Sequence, residues 1–269
     1  MTPHLVTVIQ ARSGSSRLPG KVMMPLAGEP LLVRMVHRVL NAQNSGTVVV
    51  ATTTLPEDDI IEELSKQHAW NLFRGHPTDL LDRHYQAALY FNADAVAKIP
   101  SDCPLIDSQV IDYVLQQFLD MFPDIDYVSN LHPPSYPDGN DVEVMSMSCL
   151  QSAWEKAKMP MEREHTTPYI WERPDEFRIH NVKWNSGLDY SMSHRWTIDY
   201  EADYHFIARV YEELYKNNPG FGLNDILNLL NQKPEIYEIN SKFAGVNWYR
   251  NHLHELKTID ATQTKQTGA

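Results

Sequence analysis

Three cations gather near the start of the chain. Arg12, Arg17 and Lys21 flank the stretch Ser13-Gly14-Ser15-Ser16. Small residues in such a loop let backbone N–H groups turn toward a guest oxygen without side chains in the way. A Pro19-Gly20 turn brings Lys21 back toward the loop. Open amides and clustered cations suit a polyphosphate; the alternative is a polar turn with surface cations. Two familiar phosphate loops are excluded. Lys21 is followed by Val22, so Gly-Lys-Ser/Thr is absent, and no dinucleotide-type G-x-G-x-x-G is present.

The elements that must position this loop can be read in order. Val6–Gln10 is a short apolar run with β-branched residues, as in a buried strand. Leu31–Leu40 has helical spacing, with Leu32, Met35, Val36, Val39 and Leu40 on one face and Arg34, His37 and Arg38 on the solvated one. Thr47–Thr52 reads as a second strand. Pro56-Glu57-Asp58-Asp59 opens a helix with acids in its first turn. Trp70–Phe73 is a third strand, with Arg74–Pro77 as its loop. Thr78-Asp79 caps a helix over Leu80–Tyr90, and Ala95–Pro100 is a fourth strand that delivers Ser101-Asp102-Cys103-Pro104. This alternation predicts an α/β fold with a mostly parallel sheet covered on both faces. Ligands of such sheets bind outside the carboxyl ends of the strands. The cationic loop, the Thr52 region, Arg74 and Asp102 would share that edge.

After about Asp124 the pattern changes. Asp126–Asn130 reads as a strand, His132–Gly139 as a Pro-rich loop with an Asp-Gly turn, and Asp141–Met145 as an alternating, half-exposed strand. A helix over Cys149–Ala157 and a strand near Phe177–Val182 follow. This region, about 126–182, reads as an insertion in a single domain spanning 1–257, placed either to wall a substrate pocket or to pair two subunits. Arg195–Asp199 looks like another short strand ending in an acid, ahead of helices over 202–215 and 222–231. The polar segment 258–269 is expected to be disordered.

Composition narrows the function. The chain has 269 residues and a formal net charge of −12, which argues against a nucleic-acid partner. Only Cys103 and Cys149 are present, as in a reducing compartment. No stretch approaches the roughly eighteen apolar residues of a membrane span, and no charged, cleavable leader opens the sequence. A cytoplasmic location with no membrane partner is expected.

The loop, read from Ile9 to Lys21 and followed by Leu26–Leu32, resembles the opening of the sugar-acid cytidylyltransferases, which include the CMP-Kdo and CMP-acylneuraminate synthetases. The SpsF-type spore-coat polysaccharide branch is the nearer likeness. Arg74-Gly75 with Asp82-Arg83, Ser101–Ile106, Arg163–Tyr169 and Arg195–Asp199 agree with that branch, so the resemblance covers about residues 5–215. It implies a nucleotidyltransferase fold: a GT-A-like, Rossmann-like three-layer sandwich with a small inserted hairpin region. It also implies that a hydroxyl of a sugar acid or related anion attacks the α-phosphate of CTP and releases pyrophosphate, for surface polysaccharide biosynthesis. By the same resemblance Arg12 and Lys21 hold the triphosphate, Arg17 is a third cation, and the backbone of Ala11, Ser13, Gly14 and onward to Ser16 holds phosphate oxygens. Asp102 and Asp199 would bind Mg²⁺ or Mn²⁺, hard cations suited to carboxylate and phosphate oxygens. Arg12, Lys21, Asp102 and Asp199 thus form the implied catalytic set. Arg74 would lie near the base, with Thr53 and Asp82 toward base or ribose, and Arg163, His165, Asp141 and Glu143 toward the acceptor. A homodimer is expected from the resemblance and the Pro-rich insertion.

Several of these residues have a structural alternative. Asp102 suits a helix cap before Pro104, Asp199 a cap for the helix from Ala202, and Asp82 with Arg83 a surface ion pair. Glu162 and Glu164 read as solvated, and Cys103 as a small buried side chain with no activating partner. Two rival functions stand beside the first. A nucleotide-sugar glycosyltransferase would usually show Asp-x-Asp, whereas Asp102 is followed by Cys103-Pro104. The other rival is a non-catalytic nucleotide-binding protein.

Overall fold

Strand β1 (Leu5–Gln10) lies mid-sheet because both of its faces are apolar: Leu5 and Ile9 enter one core, Val6 and Val8 the other. The computed structural model describes residues 2–15 and 17–265. The remaining strands, in chain order, are β2 (Pro25–Leu26), β3 (Glu29–Pro30), β4 (Thr47–Thr53), β5 (Asn71–Gly75), β6 (Ala95–Pro100), β7 (Tyr127–Ser129), β8 (Glu143–Ser146) and β9 (Ile179–Asn181). β2 and β3 form a small hairpin. The others make a seven-stranded sheet ordered β5-β4-β1-β6-β8-β7-β9. Pairing is parallel from β5 to β6 and between β7 and β9, and β8 runs antiparallel to both β6 and β7. The carboxyl ends of β1, β4, β6 and β7 and the start of β8 therefore share one edge.

The helices are α1 (Leu31–Leu40), α2 (Asp59–Gln67), α3 (Leu80–Tyr90), α4 (Ser108–Met121), α5 (Met147–Lys156), α6 (Pro160–His165), α7 (Pro168–Trp171), α8 (Glu201–Leu214), α9 (Leu223–Gln232) and α10 (Pro234–Tyr237). One core gathers buried residues of α1, α2, α4, α8 and α9; the other gathers those of α3, α5, α6 and α7. The result is the expected three-layer α/β arrangement. Fully burying each of Leu31, Leu32, Met35, Val36 and Val39 on α1 is worth about 1.5–3 kcal/mol relative to exposure.

Four sequence expectations are corrected. Arg34 and Arg38 are buried, while Leu40 is 48% exposed. Helix α8 covers the face of α1 that a helical wheel assigns to solvent. There Arg38 donates from Nε to the Tyr211 hydroxyl (3.0 Å) and from Nη1 to the carbonyls of Ile106 (3.1 Å) and Phe221 (3.0 Å), while its Nη2 has no partner among the described residues. Arg34 bonds the carbonyls of Leu26 and Ala27 and the Tyr215 hydroxyl.

Strand β8 is buried on both faces, with Val144 in one core and Met145 in the other. Its polar Glu143 is held by Lys98 and by the Tyr127 hydroxyl instead of water.

Arg195–Asp199 forms no strand: a single bridge pairs Arg195 with Asp138. Trp196 N–H bonds the Asp138 carbonyl (2.7 Å) while Ile198 N–H bonds the Asp102 carbonyl (2.9 Å). The segment thus stitches the Pro-rich loop to the end of β6. Gly139 makes this docking possible. Its φ is +106°, and a Cβ there would lie 2.7 Å from the Trp196 carbonyl carbon.

The segment from Thr258 is tied down as far as Lys265. Thr258 N–H bonds Glu172 (2.9 Å), and Lys265 N–H bonds the Gly245 carbonyl (2.7 Å). The rest of the expected disordered tail, 266–269, lies outside the described residues.

Arg38→Ala would strip donors from three buried acceptors. We expect a loss of about 2–4 kcal/mol in unfolding free energy, measured by urea denaturation; a change within 0.5 kcal/mol of zero (about the scatter of surface substitutions) would contradict this packing.

Candidate active site

The cationic loop is built from its own backbone. Past β1, Ala11 N–H bonds the Ala51 carbonyl (3.0 Å), extending the pairing with β4. The Ser13 carbonyl then receives N–H groups from Ser15 (3.0 Å) and Gly20 (2.9 Å), which closes the loop. Gly20, at φ +71°, makes the left-handed turn that starts the short helix Lys21–Met23. From outside, the buried Asp58 carboxylate accepts Ser13 N–H (2.7 Å) and the Thr53 hydroxyl.

The closed loop sends Lys21 across the sheet edge. Its ammonium donates to Asp102 Oδ2 (2.8 Å), the Ile198 carbonyl (2.6 Å) and Asp199 Oδ1 (3.4 Å). Burial alone would depress the Lys21 pKa, but the charges of Asp102 and Asp199 outweigh it and raise it. Asp199 also receives Arg17 on Oδ1 (2.6 Å) and Arg195 on Oδ2 (2.8 Å). Burial opposes its ionisation, and Lys21, Arg17 and Arg195 together hold its pKa below the ordinary value. Arg195, 1% exposed at its side chain, also binds Asp203 (3.1 Å) and Asp138 (3.2 Å). With one guanidinium among several acids, Asp138 is pushed up to about 8, by burial first and then by Asp141, Asp199 and Asp203 against the pull of Arg195.

These groups line a cavity of about 450 Å³, within the usual size for a small-molecule site. Arg12, Arg17, Lys21 and Arg83 line it under β1, Asp102 at the end of β6, and Asn130, Asp138, Asp141 and Glu143 toward β7 and β8. Arg83 drops to about 10, through burial and then the nearby charge of Arg12. Arg12 and Arg83 both line the cavity and concentrate positive charge there, which favours an anion.

A sequence profile described as cytidylyltransferase matches residues 6–242. The chain belongs to the cytidylyltransferase family. It is similar to an uncharacterized protein of Methanocaldococcus jannaschii, at 33% identity over 88% of this chain and 94% of that one. It is also similar to the spore coat polysaccharide biosynthesis protein SpsF of Bacillus subtilis, at 29% identity over 86% and 95%. A cytidylyltransferase from Leptospira borgpetersenii superposes with a TM-score of 0.81 at 32% identity, covering 87% of this chain and 96% of that one. A CMP:2-keto-3-deoxy-manno-octonic acid synthetase complexed with CTP shares the fold, with a TM-score of 0.59 at 18% identity over 78% and 98%. The nucleotidyltransferase fold expected from the motifs is the fold found.

Within this cytidylyltransferase, the structure gathers Arg12, Arg17, Lys21, Asp102 and Asp199 at one cavity. Neither acid is spent on a helix cap. Asp107 caps α4 through Gln109 N–H (2.7 Å), and Asp203 takes the N–H groups of Asp199 and Tyr200 (both 3.0 Å) at the start of α8. Cys103 is buried, and burial raises its pKa well above the ordinary thiol value, which suits a packed thiol.

Other expected residues are placed differently. Thr53 is buried against Asp58. Arg74 lies within β5 and spends its donors on the Thr53 and Leu55 carbonyls, Asp59 and Glu62. Asp82 accepts Trp154 Nε1–H (2.8 Å), and Arg83 holds the carbonyls of His76 and Pro77, so they form no surface pair. Arg163 binds Asp79 (2.6 Å) and Glu162 is buried with Arg173. None of Thr53, Arg74, Asp82 and Arg163 lines the cavity, whereas His165, Asp141, Glu143 and the exposed Glu164 do.

The phosphate-binding backbone is also partly committed. Ser13 N–H is given to Asp58 and Ala11 N–H to Ala51, Gly14 does not line the cavity, and Ser16 lies outside the described residues. Asp58 and Arg83 were missed by sequence reasoning. Asp58 read only as a first-turn acid, and Arg83 was discounted beside Asp82.

Asp58→Ala would leave Ser13 N–H and the Thr53 hydroxyl unpaired, at a cost of about 1–3 kcal/mol. The loop should loosen, seen as faster amide exchange at Ser13 and Ser15; unchanged exchange would count against the prop. A pH dependence follows from Asp138, raised from 3.8 to about 8. Between these values the folded chain holds a proton that the unfolded chain has released, so stability should fall as pH rises. Asp138→Asn should flatten that slope in melts taken from pH 5 to 8, and an unchanged slope would refute it.

Proposed function

We propose that this protein transfers the cytidylyl group of CTP to a hydroxyl of a sugar-type acceptor. The acceptor oxygen bonds to the α-phosphorus, the bond to the β-phosphate oxygen breaks, pyrophosphate leaves, and the hydroxyl proton is lost to the surroundings. The observation that carries this reading is the buried Lys21 ammonium held by Asp102 and Asp199 in the lining of a cation-lined cavity, in a chain matched by the cytidylyltransferase profile. Such chemistry asks the protein chiefly to position groups and to neutralise charge. Arg12, Arg17, Lys21 and Arg83, which line the cavity, would meet the triphosphate.

Asp102 and Asp199 suit a divalent cation. Both carboxylates reach the same ammonium, so hard oxygens converge on one region. Among the described residues no group of three or more His, Cys, Asp or Glu gathers as a complete metal site. A cation held by these two acids would draw its remaining ligands from phosphate oxygens and water, as Mg²⁺ commonly does. Asp102 is the less committed ligand, since Asp199 already answers Arg17 and Arg195. When bound, Mg²⁺ would neutralise charge on the triphosphate.

A role in surface polysaccharide synthesis is supported by the likeness to SpsF. The expected homodimer and cytoplasmic location remain part of this proposal; among the described residues no helix is long and apolar enough to cross a membrane.

CTP, unlike ATP, GTP or UTP, should bind in calorimetry. Lys21→Ala should weaken CTP binding by about tenfold or more, the scale of one charge-assisted hydrogen bond. Asp102→Asn should abolish metal-dependent pyrophosphate release while the fold is retained. Equal binding of all four nucleotides, or unchanged CTP affinity in Lys21→Ala, would overturn the assignment.

A further inference from the structure

The cavity is walled on one side by the C-terminal segment. Asn247, Trp248, Tyr249, Asn251 and His252 all line it. They lie beyond residue 242, where the family match ends. This part of the wall is therefore built outside the stretch that the family profile describes. The segment is a strap fixed at both ends. Ahead of Asn247, Arg195 donates Nη1 to the Val246 carbonyl (2.5 Å) and Nη2 to Asp199 (2.8 Å), so one guanidinium sets the strap's place relative to that acid. Further on, the Glu172 carboxylate accepts the N–H groups of Lys257 (2.6 Å) and Thr258 (2.9 Å). Tyr249, Leu256 and Ile259 are buried in the core shared with α3 and α5. Between the anchors Arg250 donates to the Tyr200 hydroxyl (3.2 Å).

What the strap brings to the cavity is mostly aromatic. Trp248, half-buried, stacks on His165 at 3.8 Å between centroids and 13° between planes. Tyr249 lies 6.3 Å from His132, which itself stacks on Trp171 at 4.3 Å. Burial lowers His165 to about 3 and His132 to about 4, so these rings add flat and uncharged faces at neutral pH. His252 supplies a polar edge beside them. Its Nδ1 meets Glu255 Oε2 at 2.5 Å, and its Nε2 has no partner among the described residues. In the neutral ring the Glu255 carboxylate holds the proton on Nδ1, which leaves Nε2 to accept a hydroxyl.

We propose that this strap reads the acceptor: Trp248 packs against the apolar face of the acceptor's sugar ring, and His252 Nε2 takes one of its hydroxyls. This rests on the cytidylyl-transfer reading and keeps the sugar-acid class that the resemblance implies. A pyranose ring gathers C–H groups on its faces and sends its hydroxyls and carboxylate outward around its edge. A flat aromatic side chain complements such a face, and a few placed polar groups fix its orientation. The cations under β1 are left to the triphosphate. Because Arg195 holds both the strap and Asp199, a sugar seated on Trp248 would have its reacting hydroxyl placed relative to that acid, which is the positioning that transfer requires.

The test uses the full chain saturated with a CTP analogue whose α,β-bridging oxygen is replaced by methylene, so that no transfer occurs. Kdo and N-acetylneuraminate, two acids of the implied class, are titrated by calorimetry, and at least one should bind. Trp248→Ala should weaken that acid by about tenfold or more, and Trp248→Phe, which keeps a flat face, by less than about threefold. His252→Ala, which empties a half-buried position away from the core, should weaken it by about threefold or more. The affinity for the CTP analogue should stay within about twofold in all three variants, which separates a lost acceptor contact from a collapsed cavity. Unchanged acid affinity in either alanine variant, equal weakening of acid and analogue, or binding of neither acid to the unaltered chain would overturn the proposal. If the analogue itself fails to bind the unaltered chain, the cytidylyl-transfer reading fails. The same acids titrated onto the chain alone and its variants then decide the role of the strap separately.

Discussion

The Lys21 ammonium is the point on which the active edge depends. It joins three stretches far apart in sequence: its own loop after β1, Asp102 at the end of β6, and Ile198–Asp199 from the C-terminal part of the sheet edge. None of these is held there by regular secondary structure. The loop is closed by the Ser13 carbonyl and propped by Asp58, and Arg195–Asp199 is held by cross-bonds to Asp138 and Asp102. A buried ammonium with two carboxylates and a carbonyl is satisfied electrostatically and by hydrogen bonds. Removing it would leave two acids facing each other with less reason to stay. Substrate phosphates arriving here would enter a region whose charges are already fixed in place, and such preorganisation is what charge-neutralising catalysis requires.

The sheet was legible because its signal is local. β1, β4 and β6 are apolar runs whose burial on two faces leaves little ambiguity, and the alternation with α1, α2 and α3 dictates parallel pairing. The cationic loop was legible for the same reason: Arg12, Arg17 and Lys21 lie within ten residues. What sequence could not show was the far partner. Arg34 and Arg38 look like a solvated face until Tyr211 and Tyr215 of the α8 region close over them. Asp141–Met145 alternates like a half-exposed strand because Glu143 is polar, yet Lys98 and Tyr127 neutralise that polarity from neighbouring strands. Thr53 and Arg74 lie near the right edge but are spent on Asp58, Asp59 and Glu62, which are close in sequence and invisible to a motif.

The insertion shows how a loop becomes a wall. Its Pro-rich stretch carries few backbone donors, and so it cannot pair as a strand over its whole length. It docks instead through Gly139, whose missing side chain lets Asp138 exchange bonds with the 194–196 backbone. That contact carries Asp138, Asn140 and Asp141 into the cavity lining. Of the two roles left open for this region, walling the pocket is the one visible in a single chain.

Arg195 then explains why the two ends of the cavity do not merge electrostatically. It is nearly inaccessible and lies between Asp199, which faces the cations of the loop, and Asp138, which faces the acid-rich end. Its one charge is divided among Asp138, Asp199 and Asp203. Asp199, helped by Lys21 and Arg17, stays ionised, while Asp138 retains its proton far above the ordinary range. The division keeps the cation-rich and the acid-rich ends of one continuous cavity distinct. Polarity along this edge therefore follows largely from strand order: three cations come from the loop over β1, joined by Arg83 of α3, and acids come from the lead into β8, with Asp102 just past β6 at the boundary.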